Sequence, residues 1–277
     1  SRRIQALEAW AGVNLVDRSA YPMGLTDAGR TFLALAIEML RTLQTSKAML
    51  RGYATNSEGV VDFVAPHTLA LTFFPGWIAG LQSTFGEVKS RLTAMNVHDA
   101  ALRLLAGGCD FLVAYHHPSQ PLQLDPNRFD MVVLGQEVLA PFSKVNADGK
   151  PLFTLPATAR KSAPYLAYAP GAYLGHVTEF LLKGIQTPIH LRRVYETDMA
   201  ESLKTMALEG HGIAFLPMGS VRRELSENRL VEVRLPKGPS LSVEMEVRVY
   251  REKQQTLDVT NERAASLWQH LIAQAAN

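Results

Sequence analysis

Apolar positions recur along the chain in three successive rhythms. At the front, Ile4, Leu7 and Trp10 fall at three-residue spacing, so the chain opens already inside a helical pattern, which Gly12 breaks. Leu15-Val16-Asp17-Arg18 reads as a short strand, Tyr21-Pro22-Met23-Gly24 as turn chemistry and Leu25 as the return, together a small wing. Thr26 is a good N-cap. After it Phe32, Leu33, Ala36, Ile37, Leu40, Leu43 and Leu50 recur at three- and four-residue steps up to Gly52, predicting one helix of about seven turns. Its two-sided apolar stripe, with Ala34, Ala36 and Ala48 permitting close approach, is hard to bury in one small wing domain and suits packing against a second copy. Thr55-Asn56-Ser57-Glu58-Gly59 is a short polar hinge.

From Val60 the rhythm alternates between strand and helix. Val60-Val61-Asp62-Phe63-Val64-Ala65 is a buried-strand run, 69–85 contains a helix, 88–95 is a strand, 98–106 a helix ended by Gly107-Gly108, and Phe111-Leu112-Val113-Ala114-Tyr115 a strand. The same grammar then repeats, with strand signals at 132–142, 165–168, 190–196 and 212–217 and helical signals at 173–183 and 198–209. The chain next turns through 221–226 and 230–235, runs as a long alternating strand over 243–251, and closes with a helix over 257–275 that returns to the first half. This predicts an α/β protein with a largely parallel sheet, built as two lobes joined by crossing strands with a cleft between them.

Composition narrows the classes. At 277 residues with 47% hydrophobic and 19% charged content the chain is a globular protein with no sign of disorder. The formal charge is only +2, but residues 1–53 carry +3 and the remainder −1, so the pull toward an acidic partner sits at the front. A single cysteine, Cys109, excludes an internal disulfide framework and suits a reducing cytoplasm. No apolar run is long enough to cross a bilayer and no signal peptide is visible, so no membrane is expected. An enzyme is not expected either: there is no Gly-x-Ser-x-Gly elbow, phosphate-binding Gly-Lys-Ser/Thr loop or dinucleotide-binding glycine pattern, and no cofactor or metal site is predicted. His116 and His117, adjacent in a strand-like run, would point to opposite faces rather than share a metal.

Three phrases, Ser1 through Leu7, Gly12 through Arg18 with Leu25-Thr26-Asp27-Ala28-Gly29, and Gly210-His211-Gly212-Ile213-Ala214-Phe215-Leu216-Pro217, make the whole chain resemble the LysR-type transcriptional regulators. The resemblance implies a winged helix-turn-helix head, a dimerising linker helix and a two-lobed effector domain like a periplasmic binding protein. It sets boundaries of 1–26 for a partial head, 27–54 for the linker helix and 59–277 for the effector domain, with one lobe at 59–138 and 241–277 and the other at 139–240. It further implies that the front of the head is missing ahead of Ser1, in which case this fragment is expected to bind DNA poorly. Ala65-Pro66-His67-Thr68-Leu69-Ala70-Leu71, Tyr168 through Gly175 and Met199 through Gly212 most resemble the hypochlorite-responsive branch.

The implied partners are promoter DNA, a small-molecule or oxidant effector, a second copy or four copies of the chain, and RNA polymerase. Ser1, Arg2 and Arg3 fall where the family's recognition helix meets DNA, Arg18 flanks the wing beside phosphate or minor groove, and Thr26 is placed to donate to phosphate while capping the linker helix. Effector contacts are implied at strand ends and helix starts facing the cleft: His67, Thr68, His98, Leu139, Tyr173, Thr197, Asp198 and Met199. Asp198 would repel a carboxylate ligand, and His67 and His98 are suited to hold a polar group. Met199, at a cleft-facing helix start, is a better oxidation sensor than Cys109. A solute-binding receptor of the same two-lobe fold is the alternative, though it has no use for a wing and linker helix.

Overall fold

The computed structural model describes residues 2–18, 24–36, 39, 59–236, 240–253 and 261–275. The chain divides into two compact units, the first carrying the residues ahead of Gly59 and the second nearly all those from Gly59 onward.

In the first unit α1 (Arg2–Ala11) leads to a two-stranded antiparallel ribbon, β1 (Val16–Asp17) against β2 (Gly24–Leu25), and then to helix α2 (27–36). Thr26 starts α2: its Oγ1 accepts the Gly29 N–H at 2.9 Å, which answers one of the donors a helix leaves open at its first turn. Gly29 is required by close approach, since a Cβ there would stand 2.0 Å from the Leu15 carbonyl oxygen. The rest of the rod expected to reach Gly52 lies outside the described residues, residue 39 excepted, as do Tyr21, Pro22 and Met23 of the expected turn.

The second unit begins with β3 (Val60–Pro66), α3 (His67–Thr72), α4 (Phe74–Phe85), β4 (Lys89–Met95), α5 (Val97–Leu105) and β5 (Phe111–His116). The helix expected over 69–85 is two helices, because Pro75 in the first turn of α4 has no N–H to carry a ladder across Phe73. The 16-residue β6 (Phe129–Lys144) then passes into a second lobe made of β7 (Ala163–Tyr168), α6 (Tyr173–Gly184), β8 (Leu191–Thr197), α7 (Ala200–Leu208), β9 (Ile213–Pro217), α8 (Met218–Ser226) and β10 (Leu230–Glu232). β11 (Val243–Glu252) runs back beside β6, and α9 (Glu262–Ala275) closes the chain.

The strands form one sheet in the order β4-β3-β5-β11-β6-β9-β7-β8, with β10 also on β6. It is mixed rather than largely parallel. The β3–β4, β3–β5, β7–β8 and β7–β9 ladders are parallel, as crossover helices dictate, while β6 and β11, which connect the lobes in opposite directions, pair antiparallel with each other and with β5, β9 and β10. The 221–226 stretch expected to turn is the body of α8, whose Met218, Val221 and Leu225 recur at helical spacing.

The first lobe is centred on aromatic packing. Phe63 stacks on Phe111 at 5.3 Å, and Phe111 stacks on Trp268 of α9 at 5.9 Å. Asn261 seats α9 by donating to the Val60 carbonyl at 2.8 Å and to Asp110 at 3.0 Å. Among the described residues no helix is long and apolar enough to cross a membrane.

Candidate functional site

In the first unit the carboxylate of Glu8, buried on α1, organises the loop to the wing. Oε1 accepts the N–H groups of Leu15 at 2.9 Å and Val16 at 3.0 Å, while Oε2 accepts a 2.6 Å charge-assisted bond from Arg18. The Arg18 bond, followed by the Val16 amide, holds the Glu8 carboxyl below its ordinary range. Arg18 is therefore first a clamp on α1, with part of its guanidinium still exposed. Arg3 is exposed on α1 and Arg2 begins that helix; Ser1 lies outside the described residues. The Thr26 hydroxyl proton goes to the Asn14 carbonyl at 2.7 Å, a bond that donation to a phosphate would have to displace.

In the second unit the parallel strands of each lobe end toward a seam crossed by β6 and β11, the end of an α/β sheet where ligands bind. There α3 of the first lobe lies beside α8 of the second. His67 opens α3, exposed, and Thr68 is buried behind it, its carbonyl accepting the Thr72 hydroxyl at 2.8 Å. His98 is exposed on α5, after a reciprocal Asn96–Asp99 cap. Thr197, Asp198 and Met199 form the turn from β8 into α7; the Thr197 hydroxyl accepts the Met199 N–H at 3.3 Å, Asp198 is exposed, and Met199 is 40% exposed.

Two of the expected effector residues have other work. Leu139 is 0% exposed and sits at the crossing itself, paired with Pro217 of β9 and Val243 of β11, so its side chain belongs to the core and only its backbone shapes the seam. Tyr173, at the start of α6, accepts the His117 N–H on its hydroxyl at 2.7 Å and so fastens the second lobe to the end of β5 in the first. Tyr173→Phe leaves that buried N–H without an acceptor, at a cost of about 1–3 kcal/mol. Hydrogen exchange at the His117 amide is expected to accelerate at least about fivefold, and unchanged protection would show that the clasp carries no load.

The polar atoms most exactly confined to the seam are ones the hydrophobic pattern concealed. Tyr115, 1% exposed, and Tyr168, 5% exposed, lie at the ends of β5 and β7, one in each lobe, and neither hydroxyl meets a partner at full hydrogen-bond geometry, although Thr72 stands beside that of Tyr115. Glu201 in the first turn of α7 has one buried oxygen without a partner, the other being held by Lys204 at 2.7 Å. Glu137 of β6 accepts the N–H of Gly219 in the first turn of α8 at 3.1 Å and that of Val138 at 3.0 Å. Burial, and then Glu137, Tyr168 and Glu201, hold the Tyr115 phenol well above its ordinary range against the opposing hydrogen bond of Thr72; burial with Tyr165 and Glu201 does the same for Tyr168. Both runs, Phe111-Leu112-Val113-Ala114-Tyr115 and Tyr165-Leu166-Ala167-Tyr168, read as plain strands. The signal available was a phenol placed at the same end of a buried run in each half.

A separate hollow of about 390 Å³ lies among Tyr165, Leu182, Ile185, Pro188, Leu191 and Arg193, near the beginning of β8 rather than the seam. Cys109 is poorly suited to redox sensing, since burial pushes its thiol up to about 12.

The LysR substrate binding domain, as a family, matches residues 54–276. The chain is 29% identical over 231 residues to the HTH-type transcriptional regulator YjiE of Escherichia coli K12, covering 83% of this chain and 73% of that protein. It is 27% identical over 210 residues to the HTH domain-truncated transcriptional regulator QseD of Escherichia coli O157:H7, covering 76% of this chain and 82% of that one. The full-length structure of HypT from Salmonella typhimurium, a hypochlorite-specific LysR-type transcriptional regulator, superposes with a TM-score of 0.64 at 27% identity, over 99% of this chain and 88% of that one.

Proposed function

The chain belongs to the LysR family, and from that premise we propose that it regulates transcription in the cytoplasm, binding promoter DNA through its first unit and sensing a small molecule or an oxidant in the two-lobed second unit. The observation that carries this reading is the pairing, in one chain, of a helix–ribbon–helix unit with a sheet whose two lobes are bridged by β6 and β11 and meet at a polar seam. Arg3 on the helix and Arg18 beside the ribbon supply cations where groove and phosphate contacts are made, and Arg2 joins this reading by its sequence position alone. Thr26 serves this face as the cap that orients α2. The segment 27–54, which α2 opens, serves dimerisation, with two or four copies in the assembly, so a symmetric pair of half-sites is the natural target.

Within the second unit, His67, Thr68, His98, Thr197, Asp198 and Met199 supply the rim of the sensing site, Leu139 its floor and Tyr173 its fastening. Similarity to the hypochlorite-specific regulator favours an oxidant as one input, with Met199 as the thioether that becomes a sulfoxide. Genomic fragments selected by the native protein are expected to share a two-fold symmetric sequence. Arg3→Ala is expected to weaken binding to it about tenfold or more at fixed salt. Fragments with no common sequence would overturn the regulatory reading, and protein switched by hypochlorite with Met199 unmodified would overturn the sensor assignment.

A further inference from the structure

Two helix starts beside the seam would ordinarily attract an anion, and both are already answered by the chain's own carboxylates. Glu137 occupies the N–H of Gly219 at the head of α8, and Glu201 stands in the first turn of α7. Lys204, the nearby cation, is already shared among Glu201 at 2.7 Å, the Ser220 carbonyl at 3.0 Å and Glu224 at 3.8 Å. Among the described residues the carboxylates that act on the seam hydroxyls are Glu137 and Glu201 at Tyr115 and Glu201 at Tyr168. Both hydroxyls and Glu201 Oε1 are nonetheless buried without a partner at full hydrogen-bond geometry, and a folded chain rarely leaves three such atoms unanswered unless a further molecule completes them.

We propose that the seam takes an organic amine without a free carboxylate, its N–H groups donated to Glu201 Oε1 and to the Tyr115 and Tyr168 hydroxyls. An acidic ligand would meet Glu137, Glu201 and, at the rim, the exposed Asp198, while Lys204 is already shared among other acceptors. This assignment rests on the reading that the seam is the sensing site, and it gives that site a ligand class. Ammonium binding at Glu201 also offers a direct route to the lobes, because Tyr115 belongs to one and Tyr168 and Glu201 to the other, so one ligand draws both together.

Thermal unfolding and titration calorimetry of the whole chain with putrescine and agmatine, against succinate and glutarate as acidic counterparts, test it. The amines are expected to raise the unfolding temperature and the acids to leave it unchanged. Glu201→Gln is expected to weaken amine binding about tenfold or more, and Tyr168→Phe to weaken it less. Stabilisation by the acids that Tyr168→Phe reduces would keep the seam as the site and overturn the amine. Amine binding indifferent to both substitutions would overturn the site, and no binding by any probe would leave the orphan atoms to ordered water and overturn the proposal. Failure of the regulatory reading would appear elsewhere, as loss of sequence-selective DNA binding.

Discussion

Replacing Trp268 by alanine is expected to destabilise the second unit by about 3–5 kcal/mol, the usual cost of deleting a buried aromatic ring. Trp268 is 2% exposed, stacks on Phe111 at 5.9 Å and lies under the Arg251 guanidinium at 5.0 Å. Its loss therefore removes apolar burial, a ring stack and a cation–π contact together, and leaves a cavity that Phe111 and Phe63 cannot both move to fill. For a domain of this size the unfolding temperature should fall by roughly 6–20 °C, with Trp268→Phe well inside that range. Calorimetry showing a fall of less than about 3 °C would mean that α9 adds little to the first lobe.

The second large effect concerns the front of the chain. Gly29→Ala puts a methyl group 2.0 Å from the Leu15 carbonyl oxygen and 2.9 Å from its carbon, both backbone atoms that cannot turn aside. The start of α2 must retreat, breaking the 3.1 Å bond from the Thr26 N–H to Leu15 and straining the Thr26 cap on Gly29 and Asn14. A lost cap, a lost hydrogen bond and overpacking together come to about 2–4 kcal/mol. Hydrogen exchange at the Thr26 and Gly29 amides is expected to accelerate by a factor of about thirty or more, while β3 amides keep their protection. Retained protection at Thr26 would show that α2 is seated by something other than its approach to Leu15.

Much of this was readable from residue order. Strand-helix alternation from Val60 gave the α/β class, and the long run of alternating apolar residues at 243–251 announced a strand that could cross between lobes. The first three residues of β6, 129–131, were harder, because Phe129 and Met131 share a face yet one is buried and the other exposed, with Asp130 between them. Helix α8 was hidden by Arg222, Arg223 and Glu224, which outweigh three correctly spaced apolar residues. The sensing residues were legible only in part. Strand ends pointed to His67, Thr68 and the 197–199 turn, but nothing local tells a tyrosine that packs from one whose hydroxyl is left alone. Pairing Tyr115 with Tyr168 depends on two lobes more than fifty residues apart in sequence meeting at one seam. Glu8 was equally concealed, since a lone acid on an amphipathic helix reads as solvated until the loop amides of Leu15 and Val16 are seen to need it.

The paired strands β6 and β11 are joined by ten register pairs, with Leu134 bulged out where Val247 passes to Arg248. A ladder that long does not part when the lobes move. Any change in the angle between them has to be stored as torsion along these two strands, concentrated at the irregular step beside Gly135, so the molecule behaves as a torsion spring, with a restoring force, rather than as a free hinge.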